Sequence, residues 1–359
     1  MPPHRHTIAA ILILLSFFGE SAIGQPDHAT AVGPGERSLL SAHNCYPYHG
    51  VWADRIDRAL ATGLPLSIEQ DLCWVEIDGE HRSLVAHNEP FEGTEPTLET
   101  YFFERVRPLV AATMARAQTD PGERDEWPLI VLDLDFKDND LEHVRAVRTL
   151  LSQYEDWLTW AERSASIEER GALHAGPIMV LAGGHANHRR VFHDEVAEGG
   201  KIVAFGRCRV RGPETEGMSG AEKADAIAAF PAASMVTDPA DNYHRWWNNS
   251  WHAIEAGGAP KGGVWTDADD ARLRELVDHA HTMGYFIRFY TVNGHSTADA
   301  AVGGYGKSYN TGSLDAARER WHAMIEAGVD LIATDQYRLF GEAKRERADA
   351  GGSEPGPQD

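Results

Sequence analysis

Along the chain, short apolar runs that end on a polar or charged residue alternate with longer segments whose apolar positions recur every three to four residues. The short runs read as buried strands and the longer ones as amphipathic helices. Strands are predicted over residues 38–44, 66–74, 129–136, 177–182, 201–207, 234–237, 285–292 and 331–334. Helical periodicity covers residues 52–62, with Trp52, Ile56, Ala59 and Leu60 on one face, and residues 97–116, 141–163, 267–283 and 313–327. Residues 83–87 return after a polar turn that contains Asp78 and Gly79, which predicts a short hairpin extending the second strand. Eight strands, each followed by a mostly helical connection, are the pattern of an α/β fold closed into a (β/α)8 TIM barrel.

The polar residues that end these runs carry the chemistry. His43 closes the first strand, Glu69 and Asp71 lie two apart in the second, and His87 ends the return strand. Residues two apart in a strand share a face, so both carboxylates point one way from a run otherwise formed by Leu64, Leu66, Ile68 and Leu72. Like charges so placed repel unless a proton or a cation lies between them. A divalent metal is the simplest remedy, and hard oxygen donors beside imidazoles favour magnesium or calcium over zinc.

Taken together, these residues resemble the phosphodiesterase barrel superfamily of glycerophosphodiester phosphodiesterases, phosphatidylinositol-specific phospholipases C and spider-venom phospholipase D toxins. The resemblance is carried in order by Ala42-His43-Asn44, Glu69-Gln70-Asp71, Asp78-Gly79, Ala86-His87-Asn88, Asp135-Phe136-Lys137, Tyr290-Thr291-Val292-Asn293 and the last strand up to Asp335. The His-Arg-Gly and Pro-Glu-Asn-Thr segments usual in glycerophosphodiesterases are absent. His43 is followed instead by Asn44-Cys45-Tyr46-Pro47, similar to an H-N-x-Y branch.

The resemblance implies that Asp135 completes a metal-binding trio with Glu69 and Asp71. Asp133 faces the same way and is a rival ligand. It also implies His43 and His87 as the acid–base pair, with His43 as base by analogy although the sequence leaves the roles open, and Lys137 as the group that holds a phosphoryl oxygen. The substrate would be a glycerophosphodiester or a phospholipid headgroup. A glycosidase, or a noncatalytic barrel that binds lipid or a partner, are the competing readings; carboxylates at i and i+2 flank a glycosidic bond poorly.

Asn44, Arg207, Tyr290 and Asn293 are strand-end polar residues placed to orient phosphate or headgroup. Tyr243, Trp246, Trp247 and Trp251 form an aromatic cluster that reads either as an apolar substrate wall or membrane-touching loop, or as a helix packing inward. His185 and His188 have a spacing that could serve a metal or substrate, but at a helix entry they read as a cap and a surface pair. His279 and His281 belong to a helix outside the barrel.

The charge of the chain narrows its partners. With 55 acidic against 33 basic residues, the formal net charge is -22, which argues against nucleic acid and against docking on anionic lipid. Residues 1–24 read as a secretory signal, with a basic start, an apolar core from Ile8 to Phe18 and small residues at Ala22 and Gly24. This places the mature chain outside the cytoplasm, secreted or periplasmic. Residues 25–36 are a spacer, residues 37–341 the barrel, and residues 342–359, rich in charge, Gly and Pro, a mobile tail. Cys45 and Cys73 follow two site residues on neighbouring strands, either bridged or as buried thiols, and Cys208 is left over.

Overall fold

The computed structural model describes residues 31–47, 53–255, 263–296 and 310–351; the predicted signal, Trp52 and the last eight residues lie outside this range. In chain order the strands are β1 (Leu39–Ala42), β2 (Leu66–Ile77), β3 (Glu80–Val85), β4 (Ile130–Phe136), β5 (Ala161–Glu162), β6 (Ile178–Ala182), β7 (Lys201–Ile202), β8 (Ala204–Arg207), β9 (His244–Ser250), β10 (Phe286–Tyr290) and β11 (Leu331–Thr334). Eight of these, β1, β2, β4, β6, β8, β9, β10 and β11, pair side by side in parallel, and β11 closes back on β1. The protein is a (β/α)8 barrel. Every residue of β1, β6 and β11 is buried, as expected of strands covered by side chains within the barrel and by helices outside it.

The predicted hairpin is present. β3 pairs antiparallel with the far half of β2, from Leu72↔Val85 out to Ile77↔Glu80. The two-residue turn has positive φ at both Asp78 (54°) and Gly79 (81°), the left-handed pair that lets a tight turn follow the twist of its strands. Residues 267–283 form the predicted helix, opened by a Thr266–Asp269 capping box and ended at left-handed Gly284. Ser313 Oγ accepts from Ala316 N–H at the start of the helix Leu314–Ala327, which likewise ends at a left-handed glycine, Gly328.

Three expectations are corrected. Residues 234–237 are not the sixth strand: Ala232–Met235 is a helical turn, and the sixth barrel strand is β9, the aromatic stretch His244–Ser250. Its sequence, His-Arg-Trp-Trp-Asn-Asn-Ser, lacks the aliphatic β-branched signature because side chains of unlike chemistry point to its two faces. The helix from Leu141 ends at Ser152, not near residue 163. There Tyr154 stacks on Phe103 at 4.1 Å, and Thr159 N–H donates to Ile178 O at 2.7 Å, so the chain leaves the helix to run along the barrel and enter β5. Finally, helix Tyr337–Gly351 continues through Glu342, where a mobile tail was expected. Phe340 packs edge-on against Trp321, and Glu342 and Glu346 pair with Arg338 and Arg318.

Candidate active site

The strand register builds the site. Between β2 and β4, Glu69 pairs with Asp133 and Asp71 with Asp135, on either side of the Gln70–Leu134 rung, so four carboxylates share one face towards the carboxyl ends of the strands. Glu69, Asp71 and Asp133 are buried, and Asp135 is half exposed at the rim. Oxygens of Glu69, Asp71 and Asp135 lie within 4.8 Å of one another, which favours Asp135 over Asp133 as the third member of the cluster. Asp133 is held instead by Arg288 Nε at 3.4 Å.

Two cations offset this charge. Lys137 Nζ sits 2.8 Å from Asp71 Oδ2 and 2.6 Å from Asp135 Oδ2. Arg288, fully inside the barrel, reaches Glu69 Oε2 at 3.4 Å and donates to Ser41 Oγ and Asn248 Oδ1. Burial pushes the Asp133 carboxyl up to about 7 despite Arg288, and holds Asp71 well above the usual carboxylate range, with Glu69 and Asp135 adding to it against Lys137. Burial acts on Glu69 in the same sense, but His43, Arg288, Lys137 and the Asn44 N–H together outweigh it and keep that carboxyl low. Asp71 Oδ2 is buried and accepts no well-aligned hydrogen bond, although Lys137 is close. A desolvated lone pair beside two further carboxylates fits a hard divalent cation.

The two histidines approach different carboxylates of this cluster. His43 follows β1, with its Nε2 3.7 Å from Glu69 Oε2 and its Nδ1 3.3 Å from Asp335 Oδ1. Asp335 also accepts from Asn44 Nδ2 (2.9 Å), Asn293 Nδ2 (2.6 Å) and Arg55 Nη2 (3.2 Å), while Tyr337 Oη and Arg55 donate to the His43 carbonyl. Burial would lower the His43 pKa, but Glu69 and Asp335 raise it above its ordinary value. Asn44 adopts φ 52°, a left-handed conformation that Asn tolerates, and its N–H donates to Glu69 Oε2 at 3.0 Å.

His87 stands at the end of the β3 return, Nε2 3.9 Å from Asp71 Oδ2, with nearly half of its side chain exposed. Its Nδ1 contacts Asn88 Oδ1 at 2.9 Å, and its ring lies against Tyr46. Burial and the nearby Lys137 lower its pKa. The hairpin that presents it is tied to the helix Leu141–Ser152: Ser83 Oγ meets His143 Nε2 at 2.8 Å, and His143 Nδ1 meets Asp138 at 3.0 Å.

The four carboxylates, Lys137, Arg288, His43 and His87 line one cavity of about 320 Å³ that also takes in Asn44, Arg207 and Tyr290. Two predicted substrate residues do not reach it. Asn293 is 1% exposed and grips Asp335 and Thr334, so it positions the acid behind His43. Trp247 is fully buried on the outer side of β9, where it meets His279; its neighbour Trp246 faces the cavity. The aromatic stretch is thus a barrel strand, with one indole on each face. His185 caps its helix as expected, accepting from Asn187 N–H, but His188 is buried in the cavity wall and is no surface residue.

Arg288, Asp335 and His188 were not assigned to the site from sequence. Arg288 had a signal, as a lone charge at the centre of the apolar run Phe-Ile-Arg-Phe-Tyr. The three cysteines are buried free thiols, with burial pushing Cys45 and Cys208 up to about 12 and Cys73 up to about 11. No helix among the described residues is long and apolar enough to cross a membrane.

Solved structures of similar fold include two proteins of Parabacteroides distasonis. One is a glycerophosphoryl diester phosphodiesterase, at 13% identity over 89% of this chain and 90% of that chain, with a TM-score of 0.41. The other is a glycerophosphodiester phosphodiesterase, at 10% identity over 88% of this chain and 100% of that chain, with a TM-score of 0.43. A Plasmodium falciparum HPPK-DHPS with pteroate is similar over 92% of this chain and 52% of that chain, at 9% identity and a TM-score of 0.43. No family model and no curated protein matches the chain. The likeness lies in the barrel, and the chemistry is read from the residues at its mouth.

Proposed function

We propose that the protein is a metal-dependent phosphodiesterase that cleaves a glycerophosphodiester or a phospholipid headgroup. The observation that supports this reading most is the convergence of Glu69, Asp71 and Asp135 between two histidines of opposite pKa shift. Glu69, Asp71 and Asp135 would hold magnesium or calcium. When bound, the ion polarises a phosphoryl oxygen and compensates the charge of its ligands.

The chain's own residues do the rest. One imidazole, neutral, takes the proton from the attacking hydroxyl, which belongs to the substrate where one is positioned and otherwise to water. The other, protonated, gives a proton to the departing oxygen. Each histidine lies within 4 Å of a different carboxylate of the cluster, His43 of Glu69 and His87 of Asp71. Lys137 brings an ammonium to the edge of the cluster, placed to hold a nonbridging oxygen as its charge grows. The pattern of residues 1–24 supports action outside the cytoplasm; fractionation of expressing cells should place the processed chain there, and an unprocessed cytoplasmic product would refute this part.

The test of the reaction is a panel of glycerophosphodiesters, lysophospholipids and phosphatidylinositol, with detection of the released phosphate ester in magnesium or calcium. Turnover of at least one diester is expected. Absence of turnover across the panel with either metal would overturn the reading.

A further inference from the structure

In the strand order of the barrel, β8 lies opposite β1, so the wall formed after β6 and β8 faces His43 across the cavity. This wall carries Gly183, Gly184, His185, His188 and Arg207. Among the described residues no carboxylate forms an ion pair with Arg207. Arg207 is exposed at the end of β8 on this wall, and Asp133, an acid that feels its charge, is already held by Arg288.

His188 adds an independent observation. It is 3% exposed, it lines the cavity, and neither of its ring nitrogens makes a hydrogen bond of ordinary geometry. Burial pushes its pKa down to about 4 against a contact with the Gly183 backbone that raises it, so the ring is neutral and at least one of its nitrogens is left for a partner. Unpaired polar atoms this deeply buried are rare and call for a partner.

The backbone is shaped around both side chains. A Cβ on Gly183 would come within 2.8 Å of the His188 ring, and one on Gly184 within 3.2 Å of the Arg207 carbonyl. The two glycines let the loop after β6 lie against these residues.

We infer that this wall recognises an anionic group, a carboxylate or a phosphate, on the substrate arm beyond the scissile phosphate, Arg207 through its forked guanidinium and His188 through its ring N–H. The inference rests on the phosphodiesterase reading and names its substrate class. A planar guanidinium grips either anion in two-pronged fashion, whereas a choline or ethanolamine arm would bring a second positive charge against it.

Glycerophosphoserine and glycerophosphoethanolamine differ by one carboxylate, and glycerophosphoinositol and its 4-phosphate differ by one phosphate. With metal-saturated protein, kcat/KM should favour the anionic member of at least one pair by about tenfold or more, the scale of one charge-assisted hydrogen bond. The pair that shows the preference tells carboxylate from phosphate. Arg207→Gln should bring the ratio to about one, Arg207→Lys should restore part of it, and His188→Phe should reduce it by roughly threefold or more while keeping the ring's volume.

Equal rates within both pairs, or a preference that survives Arg207→Gln, would overturn the inference while leaving the phosphodiesterase reading intact. If no diester is cleaved, that reading fails instead, and calorimetry with O-phosphoserine and phosphoethanolamine decides the wall separately. Tighter binding of O-phosphoserine that Arg207→Gln abolishes would support the wall as an anion site. Equal affinities for the two compounds would overturn it.

Discussion

The two sides of the cavity present the same imidazole in different ways. His43 sits where β1 and β11 meet, buried, with Asp335 at its Nδ1 and its carbonyl fixed by Arg55 and Tyr337. His87 sits on a hairpin that takes no part in barrel closure, nearly half exposed, with Asn88 as the hydrogen-bond partner of its ring. The environments move their pKa values in opposite directions, upward for His43 and downward for His87. Two like groups can therefore divide acid and base work, because one is embedded in charge and the other stands beside Lys137 at the rim.

The severest test removes what both sides share. Exhaustive chelation should abolish turnover and lower the melting temperature, and magnesium or calcium should restore both; Asp71→Asn should weaken metal affinity itself. Full activity without metal would separate the two histidines from any common cation.

Next comes the pair itself. His43→Ala and His87→Ala should each lower turnover by roughly a hundredfold or more while metal affinity is retained. Added imidazole should restore part of the rate to His87→Ala, whose site is open, and none to His43→Ala, whose site is closed. Equal rescue of both would erase the contrast between the two sides. Lys137→Met should also cost about a hundredfold at saturating metal if the ammonium grips a phosphoryl oxygen. A variant that needs more metal but then turns over normally would reduce Lys137 to a counter-charge for Asp71 and Asp135.

Asp335→Asn tests the embedded side alone. Removing this carboxylate lowers the His43 pKa, so the acid limb of the pH–rate profile moves to lower pH if His43 is the base, and the alkaline limb moves if it is the acid. Turnover should fall roughly tenfold, as for loss of one charge-assisted hydrogen bond. A profile in which neither limb moves would remove Asp335 from the mechanism. The same carboxyl gives a stability signature: its folded pKa is depressed by His43, Arg55 and Asn293, outweighing burial. Its contribution is complete above the unfolded pKa of about 3.9 and is lost as pH falls towards the folded value, so acid unfolding of Asp335→Asn should be less steep in that window.

The smallest effect is expected at the hairpin. Ser83→Ala removes the tie to His143 and should cost about 1 kcal/mol of stability, seen in denaturant titration, with a few-fold loss of turnover through His87. A variant as stable as the parent would show that the hairpin holds itself in place.

The sequence made the embedded and the appended side legible to different degrees. That His43, Glu69, Asp71, His87, Asp135 and Lys137 lie around one cavity could be read because each interrupts or ends an apolar run, and the barrel because its aliphatic strands repeat. The sixth strand could not, since β9 places Trp246 and Asn248 inside and Trp247 outside, leaving no aliphatic run to detect. From sequence Asn293 reads as a substrate group and Asp335 carries no role: which polar residue at a strand end faces substrate and which holds its neighbour depends on pairings between strands distant in sequence. From sequence His188 reads as a surface residue, because His-x-x-His at a helix entry carries no mark of which histidine turns inward.

The pairing of Glu69 with Asp133 and of Asp71 with Asp135 has a consequence for the economy of the whole barrel. Like charges on facing rungs are what a sheet ordinarily avoids, so this end of the molecule is locally frustrated. Isosteric amides there would relieve the repulsion and favour a firmer but inert scaffold. Selection for stability and selection for reactivity thus pull in opposite directions on four side chains, and the barrel's firmness elsewhere lets that conflict persist.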